Sequence, residues 1–289
     1  MNSIQTMNRA ADNIRILAAS MVEKAKSGHP GGAMGGADFI NVLYSEYLQY
    51  DPKNPTWIGR DRFFLDPGHM APMLYAQLTL IGKYSLEEIQ QLRQWGSPTP
   101  GHPEVCYQRG IENSSGPLGQ GHAYAVGAAI AAKFLAAKTG NPTFEKETIY
   151  AYISDGGIQE EISQGAARIA GNLALDNLIM FYDSNDIQLS TETKVVMNED
   201  TAAKYRALQW EVIEINGNDV AQIRQAIEKA KEIILKYKDT EGFGNARFVR
   251  TLYEKTIIQH AANTKDSNDP ELLKKIQSKD ISDDNIASL

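Results

Sequence analysis

Cysteine occurs once in the 289 residues, at Cys106, so no internal disulfide framework is available and the chain suits a reducing compartment such as the cytoplasm. That single thiol reads as a bystander rather than a nucleophile. Long apolar runs are missing too. The least polar stretch, AYAVGAAIAAKFLAA at 123–137, is broken by Lys133 and is too short to span a bilayer. The opening MNSIQTMNRAADNIR has no apolar signal core, so no targeting segment and no membrane partner are expected. Positive charge is scarce as well: the net charge of -7 argues against nucleic acid as the main partner, because such domains present a basic face. Acidic and basic residues balance within 231–289, which leaves the whole acidic excess in 1–230. No GxxxxGK[ST] occurs, so ATP hydrolysis would have no phosphate cradle. Internal repeats and low-complexity tracts are also absent. With 42% hydrophobic residues, the chain has enough apolar material for one large globular domain or two smaller ones.

What is present centres on SDGGIQEEISQGAARIAGNLALDNLIMFYDSN, residues 154–185. TIYAYIS before Asp155 and NLIMFYD before Asn185 are short apolar runs rich in β-branched and aromatic residues, and they predict buried strands. Between them Ile158, Ile162, Ala166, Ile169 and Leu173 recur at helical spacing, which predicts a helix with that face turned inward. A strand, helix, strand crossover returns a parallel strand, so Asp155 and Asn185 are expected on the same edge of one sheet. If the strands are neighbours, a carboxylate and an amide oxygen there can reach one hard cation with room left for phosphate oxygens. Gly156 and Gly157 allow close backbone approach, and the helix start offers amide donors to an anion. The alternative is an Asp in an ordinary strand-to-helix turn with an unrelated Asn. An acidic domain that binds a diphosphate needs a cation between them, which adds weight to the metal reading.

Three glycine and histidine segments precede this stretch: KSGHPGGAMGGAD at 26–38, LDPGHMAP at 65–72 and PGHPE at 100–104. A fourth, SGPLGQGHAYAVGAA, spans 115–129. Each reads as a loop entering a helix, the place where open α/β sheets carry function. His29, His69 and His102 sit among Gly and Pro in these loops, where a neutral imidazole can orient a hydroxyl or move a proton. A loop histidine without chemistry is the bland reading of any one of them, and their shared context weakens it for the three together. Zinc fits poorly, because no close His or Cys pair has ligand spacing on a helix. His122 and His260 take the bland reading.

SGHPGGAMGGAD, GRDRFFLDPGHMAPMLYA, PTPGHPE, SSGPLGQGHAYAVG and SDGG with its later YDSN together resemble, in order and spacing, the diphosphate-binding half of transketolase over about residues 8–230. Pyruvate dehydrogenase and deoxyxylulose phosphate synthase share the acid-glycine and asparagine signature, but the paired SGHPG and PGHPE are closer to transketolase. The resemblance implies an α/β fold with an open, mostly parallel sheet flanked by helices. It implies that Asp155, Asn185 and the Ile187 carbonyl hold Mg²⁺ or Ca²⁺ against thiamine diphosphate. His69, Gly116, Pro117, Leu118 and Gly156 would contact that cofactor. His29 and His102 would face sugar phosphate substrates, and Glu160 would lie at a dimer contact. The reaction implied is transfer of a two-carbon ketol unit from a ketose phosphate to an aldose phosphate, within carbohydrate metabolism of the pentose phosphate type.

The chain departs from the family at Ser154 and Asp186, where glycine is usual. Ser154 places a Cβ near the expected diphosphate, and Asp186 adds charge beside it. WEVIEINGNDVAQIRQAIEKAKE at 210–232 predicts a strand, an Asn-Gly turn and a helix that close the domain at 1–232. The rest, 233–289, contains GFGNARFVR with Phe248, Leu252, Ile257 and Ile258 at amphipathic spacing, and it resembles the small helical lid of AAA-type ATPases. Nothing resembles the second transketolase domain, whose acid activates the cofactor. Three readings follow: a portion that works as a homodimer or with a separate pyrimidine-binding chain, a derivative inactive by itself, or an interaction protein acting through its helical tail.

Overall fold

In the computed structural model, which describes residues 1–188 and 191–238, a three-stranded parallel sheet is sandwiched between helices. The strands are β1 (Arg62–Leu65), β2 (Ile149–Ser154) and β3 (Leu178–Asp183), in the order β1-β2-β3. Both strands expected around Asp155 are therefore present, adjacent and parallel, with Ser154 opposite Asp183 at the end of the ladder. Side chains alternate between faces of a sheet. Phe63, Leu65, Tyr150, Tyr152, Ile179 and Phe181 accordingly face one core, while Phe64, Ile149, Ala151 and Leu178 face the other.

The first core is covered by α1 (Ile4–Ala25), α2 (Pro30–Gly35), α3 (Ala37–Val42) and, after β1, α4 (Ala71–Leu80). Met7, Ala11, Ile14, Ala18 and Met21 recur every three or four residues along α1 and form its buried stripe. Ser3 caps the helix by accepting from the Thr6 amide. A short helix, α5 (Leu86–Ile89), follows with a Ser85/Glu88 capping box. The second core lies under α6 (Gln120–Thr139), which is followed by the short α7 (Pro142–Lys146).

The segment after β2 is two helices, α8 (Asp155–Gln159) and α9 (Glu161–Asn172), separated by extended backbone at Glu160. The expected inward face is corrected here. Ile158 and Ala166 are buried, but Ile162 and Ile169 are 48% and 46% exposed, and α9 buries Ser163, Ala166, Ala167, Ala170 and Gly171 instead. The break at Glu160 rotates the helix. Small residues then let it approach its neighbours closely: a Cβ on Gly171 would lie 1.7 Å from the Leu208 carbonyl oxygen.

Beyond β3 come the two-residue strands β4 (Ile187–Gln188) and β5 (Thr191–Glu192), an antiparallel pair, then α10 (Thr201–Ala207) and α11 (Val220–Lys238). The strand expected after residue 210 does not form: residues 211–215 have no regular secondary structure, and among the described residues β3 is the last strand of the sheet. Helix α11 runs through residue 232 without interruption. The remainder of 233–289, including Phe248, Leu252, Ile257 and Ile258, lies outside the described residues.

An interlocked set of charges fixes β1 from its outer side. Arg60 grips Glu112 with two nitrogens at 2.7 and 3.1 Å, and Arg62 contacts Glu112 at 3.0 Å and Glu147 at 2.6 Å. The Asn113 side chain continues this edge by accepting from the Leu65 amide and donating to the Leu65 carbonyl. The chain entering the 115–119 loop is thereby anchored to the strand that carries the 65–72 loop.

His122 has a less ordinary setting than its sequence context implies. It is fully buried in the first turn of α6 beside Tyr205 and Trp210, and neither ring nitrogen has a hydrogen-bond partner among the described residues. Burial pushes its pKa down to about 4. Because the unfolded chain binds this proton near pH 6.5, the stability that neutral His122 contributes is complete above that pH and is lost as pH falls toward 4. His122→Leu is expected to flatten the decline in melting temperature between pH 7 and 5, on the order of 5 °C at the acidic end. An unchanged slope in differential scanning fluorimetry would exclude His122 as its source.

Candidate functional site

The site is built where the carboxyl ends of β1, β2 and β3 deliver their loops. At the end of β1, Asp66 is fully buried and accepts from the Gly119 amide at 3.0 Å and the His122 amide at 3.3 Å. Burial holds its pKa above the usual carboxylate value despite these bonds. Two glycines make the arrangement possible. A Cβ on Gly121 would come within 2.5 Å of the Asp66 Cα, and one on Gly157 within 2.4 Å of its Oδ2. Asp66 thus draws the 116–122 loop and the start of α8 together. Sequence reasoning passed over it, although its place after the apolar FFL and directly before PGH was an available signal.

The loops touch one another around Gly68, where a Cβ would meet the Gly116 nitrogen at 2.9 Å, Ser115 Oγ at 2.9 Å and the His102 ring at 3.0 Å. Gly116 itself has φ +151, in a region that side chains rarely adopt. Leu118 leans over Gly156, whose missing Cβ leaves it room. Pro117 is exposed at the tip of this loop. The stretch 116–118 therefore stands directly over the start of α8.

The three loop histidines converge. His29 caps α2 and its ring centroid lies 5.1 Å from that of His69, which sits in a single helical turn ahead of α4. His69 is pushed down to about 4, first by burial and then by the neighbouring His29 and His102. It is a neutral imidazole at physiological pH. His102 is lowered by burial, then by Arg93 and His29. Its loop leads into no α-helix, contrary to expectation, and Arg93 braces it by donating to Ser27 from between the two histidine loops.

Asp155 is buried at the N-terminus of α8. Its Oδ2 accepts from the Asn185 backbone N–H at 3.2 Å, and its Oδ1 accepts from the Tyr182 hydroxyl. The two candidate metal ligands are therefore side by side. Asn185 Oδ1 accepts from the Ile187 amide at 3.0 Å, which folds 185–187 into a tight turn through Asp186, at φ +62. Left-handed backbone there accounts for a glycine preference at Asp186, and Asp tolerates it better than most residues. Tyr182 is pushed up to about 12 by burial and then by Asp155, so it is a donor at neutral pH. Glu160 is exposed at the α8–α9 break.

Asp155, Asn185 and the Ile187 carbonyl, the ligands expected from the sequence, would offer oxygen donors only, a set that suits a hard cation such as Mg²⁺ or Ca²⁺. A buried carboxylate whose only described hydrogen-bond partners are neutral donors also fits a missing positive charge. Among the described residues no three His, Cys, Asp or Glu converge as a metal cluster. The oxygen set contains one carboxylate only. A cleft of about 1810 Å³ runs from His29, His69 and Leu118 past Asp155 and Asn185, then along β3 to Ile213 and Ile233.

Residues 6–254 match the family described as transketolase, thiamine diphosphate binding domain. The chain belongs to the transketolase family. It is 45% identical over 250 residues to Transketolase-1, chloroplastic, of Arabidopsis thaliana, covering 83% of this chain and 34% of that one. The transketolase from Leishmania mexicana superposes with a TM-score of 0.75 at 41% identity, over 80% of this chain and 35% of the other. A Pichia stipitis transketolase in complex with sedoheptulose-7-phosphate superposes at 0.74 with 38% identity, over 79% and 34%. The chain thus spans about a third of the length of these relatives. The transketolase match continues to residue 254, well past the boundary expected at 232, and no comparison supports the AAA-type lid.

Ser154 is not simply in the way of an anion: its Oγ accepts from the Gly157 amide and caps α8. It occupies a donor that glycine at this position would leave free. Ser154→Gly is expected to tighten thiamine diphosphate binding several-fold in calorimetry, while lowering stability by roughly 0.5 kcal/mol through loss of the cap. Unchanged or weaker affinity would mean that the Gly157 amide does not take part.

Proposed function

We propose that this chain supplies the diphosphate- and metal-binding portion of a ketol-transferring enzyme acting on sugar phosphates. The observation that carries this reading is the placement of Asp155 beside Asn185 along the cleft that His29 and His69 also line, with the His102 ring packed next to it against Gly68 and Gly116. Asp155, Asn185 and the Ile187 carbonyl would hold Mg²⁺ or Ca²⁺. Gly116, Pro117, Leu118, Gly156 and His69 would line the cofactor. Thiamine diphosphate, when bound, supplies the electron sink that lets a carbon–carbon bond beside a carbonyl break.

The chain's own part is to bind, orient and move protons. Neutral His69 can hold a hydrogen bond inside the cleft without adding charge. His29 is exposed at the mouth and His102 is exposed beside the Gly116 loop, where they would meet the hydroxyl groups of a sugar and pass protons as its bonds change. The Pichia stipitis relative's complex with sedoheptulose-7-phosphate supports sugar phosphates as the substrate class.

This portion is one part of a two-part site. The described residues place no acid from a second domain over the cleft, and Glu160 is exposed at its rim. A separate pyrimidine-binding chain meeting it at Glu160 would supply that acid, with or without a second copy of this chain in the assembly. The expected location is the cytoplasm.

Calorimetry is expected to show thiamine diphosphate binding with Mg²⁺ or Ca²⁺ and none in excess chelator, and Asp155→Ala is expected to abolish that dependence with the fold retained. The isolated chain is expected to transfer no ketol groups. With a pyrimidine-binding partner that restores turnover, His29→Ala and His102→Ala should cost roughly 10²–10⁴ in kcat/KM with cofactor affinity nearly unchanged. Robust turnover by the isolated chain would refute the two-part reading.

A further inference from the structure

The last two residues of β3 have no role in the site as described so far, yet they contact both candidate metal ligands. Side chains of Tyr182 and Asp183 leave opposite faces of the sheet, and each turns back toward a different ligand. Tyr182 belongs to the face that carries Ile153, and its hydroxyl donates to Asp155 Oδ1. Asp183 belongs to the face that carries Tyr152, whose hydroxyl bonds it. Its Oδ2 accepts from Asn185 Nδ2 at 3.3 Å.

Each contact removes a freedom that a metal ligand cannot keep. Asp155 Oδ1 and Oδ2 are held by the Tyr182 hydroxyl and the Asn185 backbone N–H, which sets the plane of the carboxylate and leaves further lone pairs for a cation. The Asn185 amide lies between the Asp183 carboxylate and the Ile187 N–H. Only one flip satisfies both neighbours, with NH₂ toward Asp183 and Oδ1 toward the 187 turn. The reverse flip would set an oxygen against a carboxylate and a donor against a donor, which is disfavoured electrostatically. We infer that Tyr182 and Asp183 are the positioning residues of the metal site, Tyr182 by fixing the Asp155 carboxylate and Asp183 by orienting the Asn185 amide so that its oxygen is the ligand. Partners of this kind usually change metal affinity by roughly 10–100-fold. The inference rests on the metal reading under the proposed function, and its test separates the two.

Mg²⁺ is titrated by calorimetry into the full chain with thiamine diphosphate present. Tyr182→Phe and Asp183→Asn are each expected to weaken Mg²⁺ roughly 10–100-fold, while the melting temperature of the metal-free protein moves by less than roughly 4 °C. A purely structural role would lower melting and affinity together. In an Asn185→Asp background the ligand has two equivalent oxygens and no amide to orient, so Asp183→Asn should cost less than about threefold there. Unchanged Mg²⁺ affinity in both single variants, with Asp155→Ala still abolishing it, overturns this inference and leaves the metal reading standing. An equal loss from Asp183→Asn in both backgrounds overturns the orienting role. Cofactor binding by the unsubstituted chain that ignores chelator overturns the metal reading, and this inference with it. Should Tyr182→Phe melt early, the isosteric Asp183→Asn pair of measurements decides the matter.

Discussion

The buried Asp66 carboxylate is the contact on which the arrangement of loops depends. It takes amide hydrogens from Gly119 and His122 and lies against Gly121 and Gly157, so β1, the 116–122 loop and α8 meet on one small group. Burying a charge costs several kcal/mol unless its hydrogen bonds are made. Here the acceptors are satisfied by backbone donors that no side-chain rotamer can withdraw. The consequence is functional: Leu118 is held over Gly156, and the Gly116 turn is held against Gly68 and His102.

A second constraint is the parallel ladder of β2 and β3. Its register, Ser154 opposite Asp183, sets where both strands stop and therefore how far apart Asp155 and Asn185 can be. Alternation along β3 then assigns Tyr182 to one face and Asp183 to the other. The same geometry that fills the two cores thus brings a donor and an acceptor to the two ligands. Departures from family pattern fall at this edge as well, since Ser154 caps α8 and Asp186 adopts left-handed backbone.

The cleft owes its length to a strand that does not pair. Residues 211–215 are rich in β-branched side chains, yet they join no ladder, and among the described residues no strand pairs with the outer edge of β3. An unpaired edge presents backbone groups that want partners. The space between β3, the 210–216 segment and α11 is continuous with the candidate site, so the lower part of the cleft is lined by apolar side chains such as Ile213 and Ile233.

Local pattern alone determined the two strands, the crossover between them, the glycine and histidine loops, and the pairing of Asp155 with Asn185, because each depends on periodicity or on residue types that only loops and sheet ends accommodate. Tertiary structure decided the rest. Which face of α9 is buried followed from the break at Glu160 and the close approach allowed by Ala and Gly, a balance that apolar spacing cannot express. The burial of His122 depends on the distant Tyr205 and Trp210, and the bonding of Asp66, Asn113, Tyr182 and Asp183 depends on partners from 2 to 56 residues away. The failure of 211–215 to join the sheet was invisible for the same reason: a strand exists only through its neighbour, and hydrogen bonding to a neighbour is settled after the chain has folded.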